Sequence, residues 1–470
     1  MQQVLLNLIG WTNDLLWSKL LIVLLIGFGL YFTVRSKFVQ FGMLKEMFVV
    51  LKESNNKSKG GVSPFQAFCI SMAARVGTGN ITGIAIAIGL GGPGAVFWMW
   101  VTAIIGSASS FIENTLAQVY KVKDKNGFRG GPAYYMALGL NKRWMGTLFA
   151  VLITLSFGFV FNAVQSNTIT VAFENSFGVN RLVLGCIMAI VFAGIIFGGV
   201  KRVAKISEYM VVFMALLYIG IALFIVLINI SKMPEVLSII VNHAFGFEQF
   251  AGGSLGAVIM QGVKRGLFSN EAGMGSAPNA AAAATTSHPV KQGLMQAFGV
   301  LTDTLVICSS TAFIILLSGA YKQPGLDGIV LTQMALSEHI GSWASGTLAV
   351  MVFLFAFSTL IGNYYYGETN IEFLKSRKSV LILYRFCVLG MVIFGAVAKV
   401  RLVWDLADLF MGLMVVVNLI AILLLSKVAF AALLDYKRQK RAGKDPVFSR
   451  DNFQGMGQIE CWDQQAADER

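Results

Sequence analysis

The stretch Ser63–Leu90, SPFQAFCISMAARVGTGNITGIAIAIGL, decides how the rest of the chain is read. Both of its ends are apolar enough for a membrane span, yet Arg75, Gly77, Thr78, Gly79 and Asn80 fall within six residues at its middle. A continuous lipid-facing helix would carry a large cost there, so the pattern predicts a helix that breaks. At membrane depth a break leaves backbone N–H and C=O groups without helical partners, and it persists only where protein, water or a ligand replaces them. The GTGN break is therefore a candidate binding site.

Composition agrees with a membrane setting. Of 470 residues, 56% are hydrophobic and only 13% charged, and a mean hydropathy of +0.70 lies far from the globular balance. The net charge of +13 does not point to nucleic acid, because the basic residues sit in loops between apolar runs. No basic region precedes the first apolar run, which argues against a cleaved signal peptide. The five cysteines, Cys69, Cys186, Cys308, Cys387 and Cys461, show no CxxC pairing and read as small core residues.

Working outward, Trp17 to Val34 is long enough to cross a bilayer, and FVQFGMLKEMFVVLKE after it alternates apolar and charged residues at helical spacing, as an interfacial helix does. Beyond the broken span the chain reads as nine further spans, eleven in all. With the N-terminus outside, the loop Lys and Arg residues gather on one side, and only Arg181, Lys232, Lys322, Lys399 and Arg401 fall on the other. This asymmetry supports N-outside, C-cytoplasmic. The residues after Tyr436 read as a solvated cytoplasmic tail (436–470) without chemistry.

A second span is anomalous in the same way. Residues 254–284, SLGAVIMQGVKRGLFSNEAGMGSAPNAAAAA, are interrupted by Lys264, Arg265, Asn270, Glu271 and Pro278. Spans 2–6 (63–231) and 7–11 (254–432) then form two units of five, each opening on a broken helix, with residues 1–62 outside the repeat. Five is odd, so the units are inverted, and paired interrupted segments at matching positions point to a secondary transporter with a midplane site. Close-packing glycines at a helix interface explain the glycines but not Arg75, Asn80, Asn270 and Glu271 beside them.

At ARVGTGNITGIA (Ala74–Ala85), GGPAYYM (Gly130–Met136), GVKRGLFSNEAGMGSAPNAAAAA (Gly262–Ala284) and FSTLIGNYYYGE (Phe357–Glu368) the chain resembles the alanine or glycine:cation symporters, in order and spacing, over nearly its whole length. The resemblance implies an all-α, LeuT-like five-plus-five inverted repeat. It also implies sodium-coupled uptake of small neutral amino acids across a prokaryotic plasma membrane, with Na+ as coupling ion and no organic cofactor.

A zwitterionic substrate needs donors for its carboxylate. A helix restarting after Gly77 offers the N–H groups of Thr78, Gly79 and Asn80. Carbonyls near Arg75 and around Phe268, Ser269 and Asn270 are acceptors for the ammonium. Gln165, in FNAVQSNT, is a ligand-orienting group or an interhelical hydrogen bond, and Phe268 is a lid or a core aromatic. The resemblance implies a sodium site of Ser358 and Thr359 hydroxyls with the carbonyls of Ala73, Val76 and Phe355. Alternatively these hydroxyls bond back to their own helix. Where several family members carry a Trp in the FSTLIGNYYYGE motif, this chain has Asn363, which suits a larger polar substrate such as glutamine. Arg75 either faces the space beside Asn80 and repels a second cation, giving one sodium per amino acid, or pairs with Glu113. The remaining buried ionisable residues, Lys264, Arg265, Glu271 and Asp303, read as structural or gating pairs. No nucleophile–base motif supports an enzyme, and a channel or sensor on the same fold is the other class carried. Oligomeric state is not legible.

Overall fold

The computed structural model describes residues 2–54, 62–124, 127–198, 200–246, 255–323, 325–326, 328–453 and 455–462. Residue 254 at the expected start of the second unit and residues 463–470 of the expected tail lie outside these.

Eight described helices are long and apolar enough to cross a membrane, and the pair Pro64–Arg75 and Gly79–Gly91, bent by 48°, makes a ninth. Arg181–Ile196 is apolar but shorter. The second broken segment comprises Leu255–Asn270 and Pro278–Ala282. These elements occupy the positions of the eleven expected spans.

Local sequence starts the first broken helix firmly. Ser63 Oγ accepts from the Gln66 N–H at 3.1 Å while Gln66 Oε1 accepts from the Ser63 N–H at 3.2 Å, and Pro64 at the first helical position has no N–H to leave unpaired. This start lies beside the end of the other broken segment, where the Thr285 N–H donates to Val62 O at 3.1 Å. One broken helix thus enters on the face where the other leaves, as an inverted repeat requires. This face is the one that the loop charges assign to the cytoplasm, and it is called the inner face below.

Packing sorts the helices into two groups. Ala95–Val119 packs along Pro289–Thr302 and Leu255–Asn270, whereas Asn162–Phe177 packs along Trp343–Leu374 and Lys378–Val397. The helix Asn7–Arg35 packs on Ala95–Val119 through its second half and is pinned to Val400–Arg441: Asn13 Nδ2 donates to Asp405 O at 2.9 Å and Trp17 Nε1 to Asp408 O at 3.1 Å. The expected interfacial helix is Leu44–Glu53, burying Met47 and Val50 and exposing Phe48.

Three features depart from the sequence reading. Met233–Ala244 and Gly328–Ile340, which the count of eleven spans leaves between spans, are helices that carry His243 and His339. A short hairpin pairs Val122–Asp124 with Gly127–Arg129. The expected solvated tail is packed: Phe448, Phe453 and Trp462 are buried and their rings lie 4.5–5.1 Å apart. Trp462 Nε1 donates to Gln118 O at 3.0 Å, and the Phe448 N–H donates to Ser287 O at 3.0 Å. His288 is fully buried against Tyr436 and Phe448, and burial holds its pKa below the ordinary imidazole value. Three aromatics scattered among polar residues carry no periodicity, so only the surface they meet reveals their role.

Candidate functional site

The first helix ends at Arg75 because the backbone leaves helical geometry at Val76, with φ −77° and ψ 84°. Of the expected donors, the Asn80 N–H turns back to Gly77 O at 3.2 Å, and the Thr78 N–H, like that of Gly77, is held by a side-chain amide oxygen. The Gly77 N–H donates to Asn80 Oδ1 at 2.9 Å and the Thr78 N–H donates to Gln165 Oε1 at 3.1 Å. Gln165 therefore reaches the break from the Asn162–Phe177 helix and makes there the interhelical hydrogen bond that was one of its two readings. Thr78 Oγ1 is buried without a hydrogen-bond partner among the described residues.

The two breaks touch. A methyl group at Gly79 would lie 3.0 Å from the Phe268 ring and 3.2 Å from Ser269 Cα, so glycine is what lets the backbones approach. Phe268 lies between Phe161 and Trp404, tilted by 38° to each with centroids 4.9 and 4.8 Å away, and Arg265 lies over Trp404 at 4.8 Å. Arg265 donates to both oxygens of Asp408, at 3.1 and 2.9 Å, and Lys264 Nζ lies 2.6 Å from the same carboxylate. Asp408 is 1% exposed. Phe268 thus lies in a row of rings beside the two breaks, next to a buried ion cluster. Asp408 was missed in the sequence; an aspartate inside an apolar span was the available signal.

Asp303 joins the breaks. Asn80 Nδ2 donates to its Oδ1 at 2.6 Å, and Ser269 Oγ to its Oδ2 at 2.7 Å. Asn270 faces away from the first break: its Nδ2 donates to Thr304 Oγ1 at 3.2 Å and its Oδ1 accepts from the Ala272 N–H at 3.0 Å. Ser269 and Asn270, expected to hold substrate, therefore organise the second break in this state.

Glu113 serves the second break as Asn80 and Gln165 serve the first. It accepts from the N–H groups of Gly273 (3.2 Å) and Gly275 (3.0 Å) and from Asn418 Nδ2 (2.8 Å). Gly273 and Gly275 have φ of +80° and +84°, a region open to glycine at no steric cost. The GGPAYYM motif buttresses this loop, since Tyr135 donates its hydroxyl proton to Asn418 Oδ1. The alternative in which Arg75 pairs with Glu113 is not realised. Arg75 Nη1 donates to Gln296 O at 3.2 Å, and Arg75 forms no ion pair among the described residues.

The five expected cation ligands converge. Ala73 O, Phe355 O and Val76 O lie 2.9, 3.1 and 3.4 Å from Thr359 Oγ1. One hydroxyl has one proton to donate, so this cluster holds more acceptors than donors, the chemistry that suits a hard cation. Ser358 Oγ donates to Phe355 O at 2.8 Å and completes the set while bonding to its own helix. One turn on, Asn363 is fully buried and neither atom of its amide has a hydrogen-bond partner among the described residues.

Residues 1–450 match the sodium:alanine symporter family. Among curated relatives, the probable sodium/glutamine symporter GlnT of Bacillus subtilis (strain 168) is 71% identical, over 98% of this chain and 97% of the relative. The amino-acid carrier protein AlsT of the same strain is 55% identical, over 97% of each chain. Among solved structures, a Na+-coupled sialic acid symporter in a substrate-bound outward-open state matches with a TM-score of 0.54 at 14% identity, covering 89% of this chain and 94% of that one. That likeness concerns the fold alone, the LeuT-like inverted repeat. By the family match over residues 1–450 and relatives aligned over nearly their whole length, the chain is a sodium-coupled amino acid transporter, not an enzyme, and belongs to the sodium:alanine symporter family.

Proposed function

We propose that this protein imports neutral amino acids, glutamine among them and alanine and glycine as smaller substrates, with sodium held by Ser358, Thr359 and the carbonyls of Ala73, Val76 and Phe355. The membrane is the prokaryotic plasma membrane, with the N-terminus outside and the C-terminus in the cytoplasm. The amino acid carboxylate displaces Gln165 Oε1 from the Thr78 N–H and meets the N–H groups of Gly79 and Asn80. Alternating access follows from rearrangement of the two broken helices about this fixed site.

One observation carries the glutamine reading: the Asn363 amide is buried with both atoms unpartnered. Buried polar groups are normally hydrogen-bonded, and a primary amide offers both a donor and an acceptor to the side chain of glutamine. The relative named as a probable sodium/glutamine symporter supports the same reading. In a competition panel against labelled alanine in proteoliposomes, glutamine is expected to compete in the parent protein. In Asn363→Trp it is expected to lose affinity by about tenfold or more relative to alanine, since a missing hydrogen-bonding group leaves its partner unpaired. Failure of glutamine to compete, with Asn363→Trp unchanged, rejects it.

Stoichiometry follows from Asn80. Its Oδ1 accepts from the Gly77 N–H and its Nδ2 donates to Asp303, so its amide is committed to holding the break together rather than aimed at a second cation. One sodium per amino acid is expected. Transport reversal potentials under varied sodium and alanine gradients measure this ratio, and a value of two rejects it.

A further inference from the structure

Alternating access, the reading on which this inference rests, moves the two packing groups against each other. A segment fastened to both of them at the inner face therefore opposes opening on that side. The packed C-terminal residues are fastened in this way. The last long helix ends at Arg441, and the described residues 443–453 and 455–462 hold only one short helical turn, Arg450–Phe453. Gly443, at φ +73°, turns the chain, and Gln439 pins the return: its Nε2 donates to Val447 O and its Oε1 accepts from the Val447 N–H, both at 2.9 Å.

Beyond Val447 the segment reaches both groups. On the first, the Phe448 N–H meets Ser287 O and Trp462 Nε1 meets Gln118 O. Lys121, just past the end of Ala95–Val119, is 2% exposed. Its Nζ lies over the Trp462 ring at 4.4 Å and donates to Ala284 O at 3.1 Å. Trp462 is thus tied to the exit of the second broken segment, next to Thr285 and its bond to Val62. On the other side, the Gln458 N–H donates to Leu138 O at 3.1 Å. Leu138 ends the helix Pro132–Leu138, which packs along Arg143–Ile153 in the span that runs on to Phe177. The Arg450 N–H donates to Trp462 O at 3.3 Å and closes the segment on itself, so that both attachments belong to one unit.

We infer that this segment is a strap that holds the inner face shut and lets go each time the protein opens inward. Separating the two groups there breaks either the bonds to Gln118 and Ser287 or the bond to Leu138. The strap is built to release: it carries almost no regular structure, and a segment held by few contacts opens at lower cost than the core helices. The cluster of Phe448, Phe453 and Trp462 rings supplies the apolar burial that closes it again.

Hydrogen exchange read by mass spectrometry tests this on the parent protein, Trp462→Phe and Trp462→Ala in lipid nanodiscs with sodium, beside uptake in proteoliposomes. Trp462→Phe keeps a ring and removes one hydrogen bond, so peptides from Pro64–Arg75 are expected to exchange about fivefold faster. Trp462→Ala also loses the ring and is expected to exceed tenfold. Peptides from Gly328–Ile340, on the opposite face, keep the parent rate. In Trp462→Ala the half-saturation constant for external sodium is expected to rise by about threefold or more, because only the outward-facing fraction binds from outside. If Trp462→Ala does not fold, Trp462→Phe, with a melting temperature near the parent's, decides alone. An unchanged rate in Pro64–Arg75, or equal acceleration on both faces, rejects the strap. So does a Trp462→Ala protein that melts lower with its sodium constant unmoved, as a merely structural cover would. Absence of sodium-driven uptake by the parent counts against symport, while the exchange rates still decide the strap.

Discussion

Gly77→Ala is expected to abolish sodium-dependent uptake while leaving the protein inserted in the membrane. A methyl group there would overlap the Thr359 hydroxyl, lie 3.1 Å from Thr359 Cβ and 3.2 Å from Gln165 Oε1. It thus strikes the cation cluster and the amide oxygen on the Thr78 donor at once. Neither neighbour has room to yield. Thr359 is a residue of a long helix whose hydroxyl is held among three carbonyls, and Gln165 is 2% exposed. Overpacking of this kind costs about 1–3 kcal/mol. At tenfold per 1.4 kcal/mol, sodium and substrate affinities should each fall by roughly one to two orders of magnitude. Scintillation-proximity binding of labelled amino acid across a sodium titration measures both. Binding of either within twofold of the parent would show that the two sites are not built around Gly77.

Asp408→Asn is expected to have the larger effect on stability. The carboxylate serves Lys264 at 2.6 Å and both terminal nitrogens of Arg265, and those side chains are only 11% and 5% exposed. An amide keeps the shape and removes the charge, so two cations lose the carboxylate that both contact in a dry site. Breaking a buried pair from one side costs about 3–5 kcal/mol. The Arg265–Trp404–Phe268 row beside the two breaks loses its anchor with it. A lowered melting temperature in detergent and lost uptake are expected, with Asp408→Glu restoring much of both. If the asparagine variant melts and transports like the parent, the cluster neither anchors the stack nor stabilises the fold.

What was legible in the chain is what local chemistry enforces. A span interrupted by GTGN must break, because lipid supplies no partners for its backbone. The second interruption at SNEAGMG, and the one-sided loop charges, follow from the same solvent. The donors at Thr78 were named from the break itself. That Gln165 approaches Thr78, and that Ala73, Val76, Phe355, Ser358 and Thr359 gather, was implied by the family resemblance; spacing along one helix carries neither, because the residues come from three helices. Pairings between distant helices were not legible. Arg75 was expected to face a cation or Glu113, whereas it meets Gln296 and leaves two nitrogens open. Glu113 instead holds Gly273 and Gly275.

By itself, then, the sequence determined that the chain crosses a membrane many times, that two of its spans are broken at matching places, and which residue types line each break. Those features depend on solvent, backbone and neighbours in the chain. Tertiary structure alone decided that Asp303 ties Asn80 to Ser269, that Asp408 locks Lys264 and Arg265 over Phe268, and that Phe448 and Trp462 fold back onto Ser287 and Gln118. Each of these joins residues far apart in sequence. A buried charge or an aromatic ring has many possible partners of the right chemistry, and only the packed helices choose among them.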